Sequence, residues 1–383
     1  MKLTLRLHLL PTTDQHASLR ETMRLCNEAA TFAAAKGFAA GVYGQVSLHH
    51  LAYYEIRERF GLSSQLAVRA IAKAVECFQR DKTTCPVFRD DGAVCYDQRV
   101  LSFHGLNSAS LWAIGGRVEV PFLCGPYQQA RQGRIQGQAD LVLRDGIFYL
   151  LCTIDMPEDT PIEPQDVMGV DLGVVNLATT SDGTTHSGVS VEACRSRYAK
   201  RRQRLQRAAT LAQMDGKRPK NIRRALKRIA RKEARFRRDV NHCISKTLVA
   251  ACKGTERGIA LEDLKDIRSR SRFRKPQRAR MTGWAFDQLR FFVEYKAQLV
   301  GVPVVFVDPR NTSRGCCQCG HVAKANRQTQ ARFSCRQCGY TTNADFNAAI
   351  NIRNRARFRV PLVAVRFRQL WLPLAEPATS SVL

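Results

Sequence analysis

The sequence predicts an α/β protein of more than one domain, on three observations. Short apolar strands such as VMGVD, RGIALEDL and VPVVFVDP alternate with helical stretches through the C-terminal half. The N-terminal half instead separates a long helical region from a run of strands. A length of 383 residues allows two or three domains with a sizeable buried core.

The elements follow in order. MKLTLRLHLL sets Leu3, Leu5, Leu7 and Leu9 against Lys2, Thr4, Arg6 and His8. That alternation is a half-buried strand and lacks the continuous apolar run of a signal peptide. LPTTD turns the chain. Residues from about 14 to 80 have helical periodicity in TMRLCNEAATFAAAKGFAA and SSQLAVRAIAKAVECFQ. From about 84 to 160 the pieces PVFRDD, GGRVEVPF, QGQADLVLRDG and IFYLLCTIDMP read as strands, and proline-rich PEDTPIEPQ marks a boundary. VMGVDLGVVNLATTSDG then supplies two strands and a turn, and a helical pattern over 195–238 breaks near DGKRPK. RGIALEDL is a strand, FDQLRFFVEYKAQLVG a helix, VPVVFVDP a strand, and a last helix covers about 344–358.

Charge narrows the function. Sixty-one Lys and Arg against 33 Asp and Glu leave +28, a self-repulsion that a polyanion relieves. Nucleic acid is the partner this implies, through phosphate neutralisation and counterion release. Residues 195–238 hold nineteen of those basic residues against Asp215 and Glu233. Arg201, Arg204, Arg223, Arg224, Lys227 and Arg231 are the candidate backbone contacts, arginine suiting bidentate phosphate binding. A solvated charged helix pair would carry the same composition. No apolar run is long enough to span a bilayer and no basic amphipathic segment has a wide apolar face, so no membrane partner is expected and the prokaryotic cytosol is the expected location.

Ten of the fourteen cysteines are scattered, as in a reducing compartment. The other four, with Cys317 of the ten beside one of them, lie in CCQCG at 316–320 and CRQCG at 335–339, with fifteen residues between Cys319 and Cys335. This C-x2-C-x15-C-x2-C spacing is that of a four-thiolate zinc site, Cys316, Cys319, Cys335 and Cys338. Cys317 competes with Cys316, and the matched CxQCG frames favour Cys316. Such a closed site is structural, with no open position for chemistry.

Three acids stand in apolar surroundings: Asp171 in VMGVDLGVV, Glu262 in GIALEDL and Asp345 at the mouth of the last helix. A buried carboxylate is costly unless paired or metal-bound. Converging, the three would hold two Mg2+ ions about 4 Å apart, the arrangement of two-metal phosphodiester hydrolysis. Each has an alternative. Asp345 suits an N-cap, Asp171 a turn before Gly173, and Glu262 an arginine pair. Asp263 is a rival ligand on the opposite face of the strand.

GVDLGVVNLAT, ALEDL and TSRGCCQCG…FSCRQCGYTTNADFNAAINI closely resemble the RuvC-like nuclease of the transposon-encoded TnpB (OrfB) proteins, relatives of compact type V CRISPR effectors. HCISKTLV and FDQLRFFVEYKAQLVGVPVVFVDPRNTS support the resemblance, which is specific over about 166–355 and looser over 1–160. It implies an RNase H-like fold with the metal-binding triad Asp171, Glu262 and Asp345, a zinc ribbon inserted before the third acid, and a barrel-like wedge domain interrupted by a helical recognition insert. The implied segments are wedge 1–13, insert 14–83, wedge 84–160, nuclease 161–312, ribbon 313–343, nuclease helix 344–358 and tail 359–383. The implied activity is Mg2+-dependent, RNA-guided cleavage of double-stranded DNA beside a short adjacent motif, with Mn2+ as a substitute ion and one structural Zn2+. Guide RNA and target DNA are the implied partners, in a ribonucleoprotein holding a single copy of the chain. A compact CRISPR effector and a guided binder that does not cut are the rival readings. The eight histidines form no H-x-H pair, which argues against a His-based single-strand transposase.

Overall fold

A computed structural model describes residues 1–264 and 286–357. The expected tail 359–383 lies outside the described residues, as does the part of the expected nuclease segment between 265 and 285. The chain divides into two compact units, Met1–Pro157 and Glu158–Leu383, and the break falls in the proline-rich stretch. Among the described residues, no helix is long and apolar enough to cross a membrane.

The first unit is built on β1 (Lys2–Leu9), whose alternation buries Leu5, Leu7 and Leu9. Three helices follow: α1 (Thr13–Ala40), α2 (Gln45–Phe60) and α3 (Ser64–Arg80). A reciprocal capping box between Thr12 and Gln15 starts α1, and the Ser63 side chain caps α3. Alanines 29, 30, 33 and 34 of α1 and 67, 70 and 74 of α3 are buried and let these helices pack closely. The chain continues through β2 (Val94–Tyr96), β3 (Leu101–His104), β4 (Ser108–Ala113), β5 (Gly116–Leu123), the short α4 (Pro126–Gln132), β6 (Ile135–Arg144) and β7 (Ile147–Asp155). The strands form one antiparallel sheet in the order β2-β6-β7-β1-β5-β4-β3, with its helices in a continuous core.

One expected strand is absent. PVFRDD is irregular because its backbone bonds to α1: the Phe88 N–H donates to Thr31 Oγ1 at 3.0 Å, and Asn27 Nδ2 donates to the Asp90 carbonyl at 3.4 Å and to that of the following Gly92 at 2.9 Å. The first strand after α3 is β2 instead.

The second unit holds a five-stranded mixed sheet, ordered β10-β9-β8-β11-β12. Its strands are β8 (Val167–Asp171), β9 (Asn176–Thr180), β10 (Thr185–Ser187), β11 (Gly258–Glu262) and β12 (Val304–Val307). Strands β8, β11 and β12 are parallel, while β9 and β10 add antiparallel. Among the described residues its helices are α5 (Val189–Met214), α6 (Lys220–Gly254), α7 (Phe286–Leu299) and α8 (Ala344–Arg357). Pleat alternation sorts the side chains. Met168, Val170, Ile259 and Leu261 share one core with Ile244 and Leu248 of α6 and with Leu289 and Val293 of α7. Val167, Ala260 and Val307 pack instead with Ile352 and Ala356 of α8.

Between β8 and α8 the approach is backbone-close. A Cβ on Gly169 would lie 2.1 Å from the Ala349 carbonyl oxygen and 2.6 Å from the Arg353 nitrogen. Below this contact Asp166 accepts from Arg353 and, at 2.8 Å, from Arg357 Nε. Burial alone would raise the Asp166 pKa, but the bonds from Arg357, Arg353 and the Val167 N–H outweigh it and hold the carboxyl well below the usual range.

Gly169→Ala is expected to push α8 off the sheet and to lower the thermal midpoint markedly, by overpacking worth at least about 1–3 kcal/mol. Asp166→Asn is expected to lower unfolding free energy at neutral pH by about 1–3 kcal/mol. A depressed folded-state pKa contributes fully above the unfolded value, so wild type and variant should begin to converge in denaturant titrations below about pH 4 and meet only well below it, as pH falls through the depressed folded-state value.

Candidate active site and cysteine cluster

Strand register explains why two distant acids become neighbours. Val170 of β8 lies opposite Leu261 of β11, so Asp171 and Glu262 end adjacent parallel strands. Leu261 and Val170 face α6 and α7; alternation therefore turns Glu262 and Asp171 toward the α8 side. Asp345 occupies the first turn of α8. The three expected acids share this end of the sheet.

Their electrostatics show the proximity. Asp171 is pushed well above the carboxylate range, first by burial, then by the negative charges of Glu262 and Asp345, with the Arg327 cation opposing. Glu262, 9% exposed, is also raised by burial; the hydroxyl of Thr312 and the charges of Arg355 and Arg327 oppose the shift. Asp345, 6% exposed, accepts from Asn176 Nδ2 at 2.9 Å on Oδ2 and from Arg327 at 3.4 Å on Oδ1. Buried oxygens that repel one another in this way are suited to hard divalent cations such as Mg2+.

The alternatives for these acids resolve locally. Asn343, not Asp345, caps α8, its Oδ1 accepting from the Asp345 N–H at 2.9 Å and the Phe346 N–H at 3.2 Å. Asp345 is thereby free to face the other acids. Asp263 turns to the opposite face and binds Arg290 at 2.7 Å. Asp171 closes β8, and the Thr312 hydroxyl donates to Glu262.

Arg327 is a site residue that the sequence reading missed. It lies between the two cysteine pairs, where its charge reaches Asp171 and Glu262 while its guanidinium binds Asp345. One arginine among 61 basic residues carries no distinguishing sequence signal. Asn176 was visible within GVDLGVVN, although its contact with Asp345, 169 residues away, was not.

The four expected cysteines come together: the Sγ atoms of Cys316, Cys319, Cys335 and Cys338 all lie within 4.8 Å of one another. The two knuckles repeat one bonding pattern. Gly320 N–H donates to the Cys316 carbonyl at 3.0 Å and Gly339 N–H to that of Cys335 at 3.1 Å, both glycines at φ +76°. The Cys338 N–H points at Cys335 Sγ, and knuckle N–H groups of this kind lower the Cys335 pKa and favour a thiolate there, while the neighbouring thiols raise that of Cys338. Such a set fits a tetrahedral zinc ion. Cys317 stands apart: its N–H donates to Asn347 Oδ1 at 3.1 Å and its thiol meets Tyr340. The hairpin of β13 (Arg332–Ser334) and β14 (Thr341–Asn343) then feeds directly into α8.

Of the candidate nucleic-acid contacts, Arg201, Arg204, Arg223, Arg224 and Lys227 are exposed, and Arg231 is half-buried. They lie on α5 and α6, which pack together and are bridged by an Arg202–Glu233 ion pair at 2.5 Å.

Cys338→Ser is expected to abolish zinc retention by the purified full-length chain, whereas Cys317→Ser should retain one zinc per chain, as measured by elemental analysis.

Two family models match the chain: OrfB_IS605, described as "Probable transposase", over residues 150–266, and the "Cas12f1-like, TNB domain" over 286–352. A CRISPR-associated endodeoxyribonuclease Cas12f1 of Sulfoacidibacillus thermotolerans is 32% identical over 236 residues, 57% of this chain and 54% of that protein. The "Putative RNA-guided DNA endonuclease InsQ" of Escherichia coli K12 is 30% identical over 226 residues, 54% of this chain and 53% of its own. A TnpB-like protein of Methanocaldococcus jannaschii is 29% identical over 169 residues, 43% of this chain and 58% of that protein. The chain spans about half the length of the curated relatives it matches. Among solved structures, the fold resembles Cas12f1 from a complex with sgRNA and target DNA (TM-score 0.60, 16% identity, covering 88% of this chain and 83% of the other). It also resembles the mini-RNA-guided endonuclease CRISPR-Cas_phi3 (TM-score 0.56, 10% identity, covering 93% and 92%). Over about half of its length, the chain is thus similar to the transposon-encoded TnpB (OrfB) proteins and to the compact Cas12f effectors.

Proposed function

We propose that this chain is an RNA-guided DNA endonuclease that cleaves double-stranded DNA beside a short adjacent motif. The observation that carries the reading is the shared position of Asp171, Glu262 and Asp345. Two end parallel strands, the third opens the helix packed on the same face, and Asp171 carries the electrostatic mark of both others. The second unit is then an RNase H-like, RuvC-type nuclease with an inserted zinc ribbon. The first is a wedge domain around the helical insert α1–α3. The names of the relatives and the solved complexes support guide RNA and target DNA as partners. We assign it as a single copy in a cytosolic ribonucleoprotein.

Two Mg2+ ions bound by the three carboxylates would supply an activated water on one side of the scissile phosphorus and charge stabilisation for the departing 3′ oxygen on the other. The protein's own groups set the stage. Asn176 fixes one oxygen of Asp345, and Thr312 fixes one oxygen of Glu262. Arg327 places a cation beside acids that otherwise repel one another and an incoming phosphate. The exposed arginines of α5 and α6 would carry nucleic-acid backbone, with affinity falling steeply as salt rises.

The test is expression of the full chain with its native flanking DNA, sequencing of the RNA that co-purifies, and a cleavage assay on a DNA library with Mg2+. Wild type is expected to cut beside a fixed motif, and Asp171→Ala to bind the same DNA but leave it intact. Full guided cleavage by Asp171→Ala would refute the chemistry, and RNA-dependent binding without cleavage by wild type would favour the non-cutting regulator.

A further inference from the structure

Glu262 is not positioned by its strand alone. Its buried carboxylate accepts from the hydroxyl of Thr312, itself 3% exposed. A hydroxyl has one proton, and an ionised carboxylate is a stronger acceptor than the Pro309 carbonyl 3.0 Å away. The Thr312 backbone is held in turn. Asn351 of α8 uses both amide protons on this segment, donating to the Thr312 and Gly315 carbonyls, each at 2.8 Å. Asn347, one turn earlier and fully buried, donates to the same Gly315 carbonyl at 2.8 Å and accepts from the Cys317 N–H at 3.1 Å. Gly315 immediately precedes the first cysteine of the cluster.

From this chain of contacts we infer that Thr312 and Asn351 are positioning residues that orient Glu262 for divalent-cation binding and couple its orientation to the cysteine knuckle. The inference rests on the nuclease reading above. Helix α8 carries Asp345 in its first turn and both asparagines on later turns. One rigid element therefore holds one acid directly and steers a second through Thr312. Asn351 aligns the 312–315 segment, the segment leads into the knuckle, and the thiolate-held knuckle keeps that segment from drifting. Hydrogen-bond partners that orient metal ligands typically govern affinity by about 10- to 100-fold.

The test measures Mn2+ binding to the zinc-loaded full-length chain, with free Mn2+ read by electron paramagnetic resonance and no cleavage involved. Thr312→Val keeps the shape and removes the hydroxyl. It is expected to raise the Mn2+ dissociation constant by about tenfold or more while zinc content stays at the wild-type level. Thr312→Ser should restore wild-type affinity. Thr312→Ala, which adds no atoms to the pocket, should behave like Thr312→Val and serves if that variant does not fold. Asn351→Leu should weaken Mn2+ binding and also speed zinc loss to a chelator, a double effect that a purely local role of Thr312 does not produce. Wild-type Mn2+ affinity in both Thr312→Val and Thr312→Ala would overturn the positioning role while leaving the nuclease reading intact. Absence in wild type of any Mn2+ binding that Asp171→Ala removes would overturn both.

Discussion

The contact between β8 and α8 is the constraint on which the second unit turns. Only hydrogen at the Gly169 Cα lets the strand meet the helix backbone around Ala349 and Arg353. That contact fixes the height of α8 over the sheet, and with it the distance from the Asp345 carboxylate to the strand acids. The Asp166 pairs with Arg353 and Arg357 clamp the far end of the same helix. Asn347 and Asn351 fasten it to the cysteine-rich segment. A site assembled from three remote pieces thus depends on one helix that cannot slide.

Opposing this assembly is charge. Burial makes the ionised acids costly, as the raised Asp171 and Glu262 show, and at Asp171 the charges of Glu262 and Asp345 add to it. The fold contains the cost without neutralising it inside the sheet. Arg327 arrives from the cysteine-rich segment, and the hydroxyl and amide donors of Thr312 and Asn176 each address a single carboxylate oxygen. Oxygens beyond these contacts remain for a cation. An apolar pocket would be more stable and chemically inert.

The sequence exposed most of this, and its gaps have physical causes. Strand acids between apolar residues were legible because a carboxylate has few reasons to sit there. Alternation correctly placed Glu262 and Asp263 on opposite faces, since a strand's pleat is a local property. The thiolate pairs were legible from spacing, and Cys316 over Cys317 from the repeated frame, because knuckle geometry is also local. Asp345 was ambiguous as long as its neighbour Asn343 was not recognised as the cap. PVFRDD read as a strand because its composition permits one; its hydrogen bonds to α1 are long-range. Arg327 was hidden for the same reason, its significance arising only once the segment around it folds.

The spread of the acids along the chain has a consequence for biosynthesis. The cysteine pairs span few residues: Cys316 and Cys338 are 22 apart, a loop that closes cheaply and early. The Asn176–Asp345 contact joins residues 169 apart and can form only after α8 has left the ribosome. A growing polypeptide therefore carries Asp171 and Glu262 with nothing to complete them until Asp345 emerges, seven residues behind the last cysteine of the cluster.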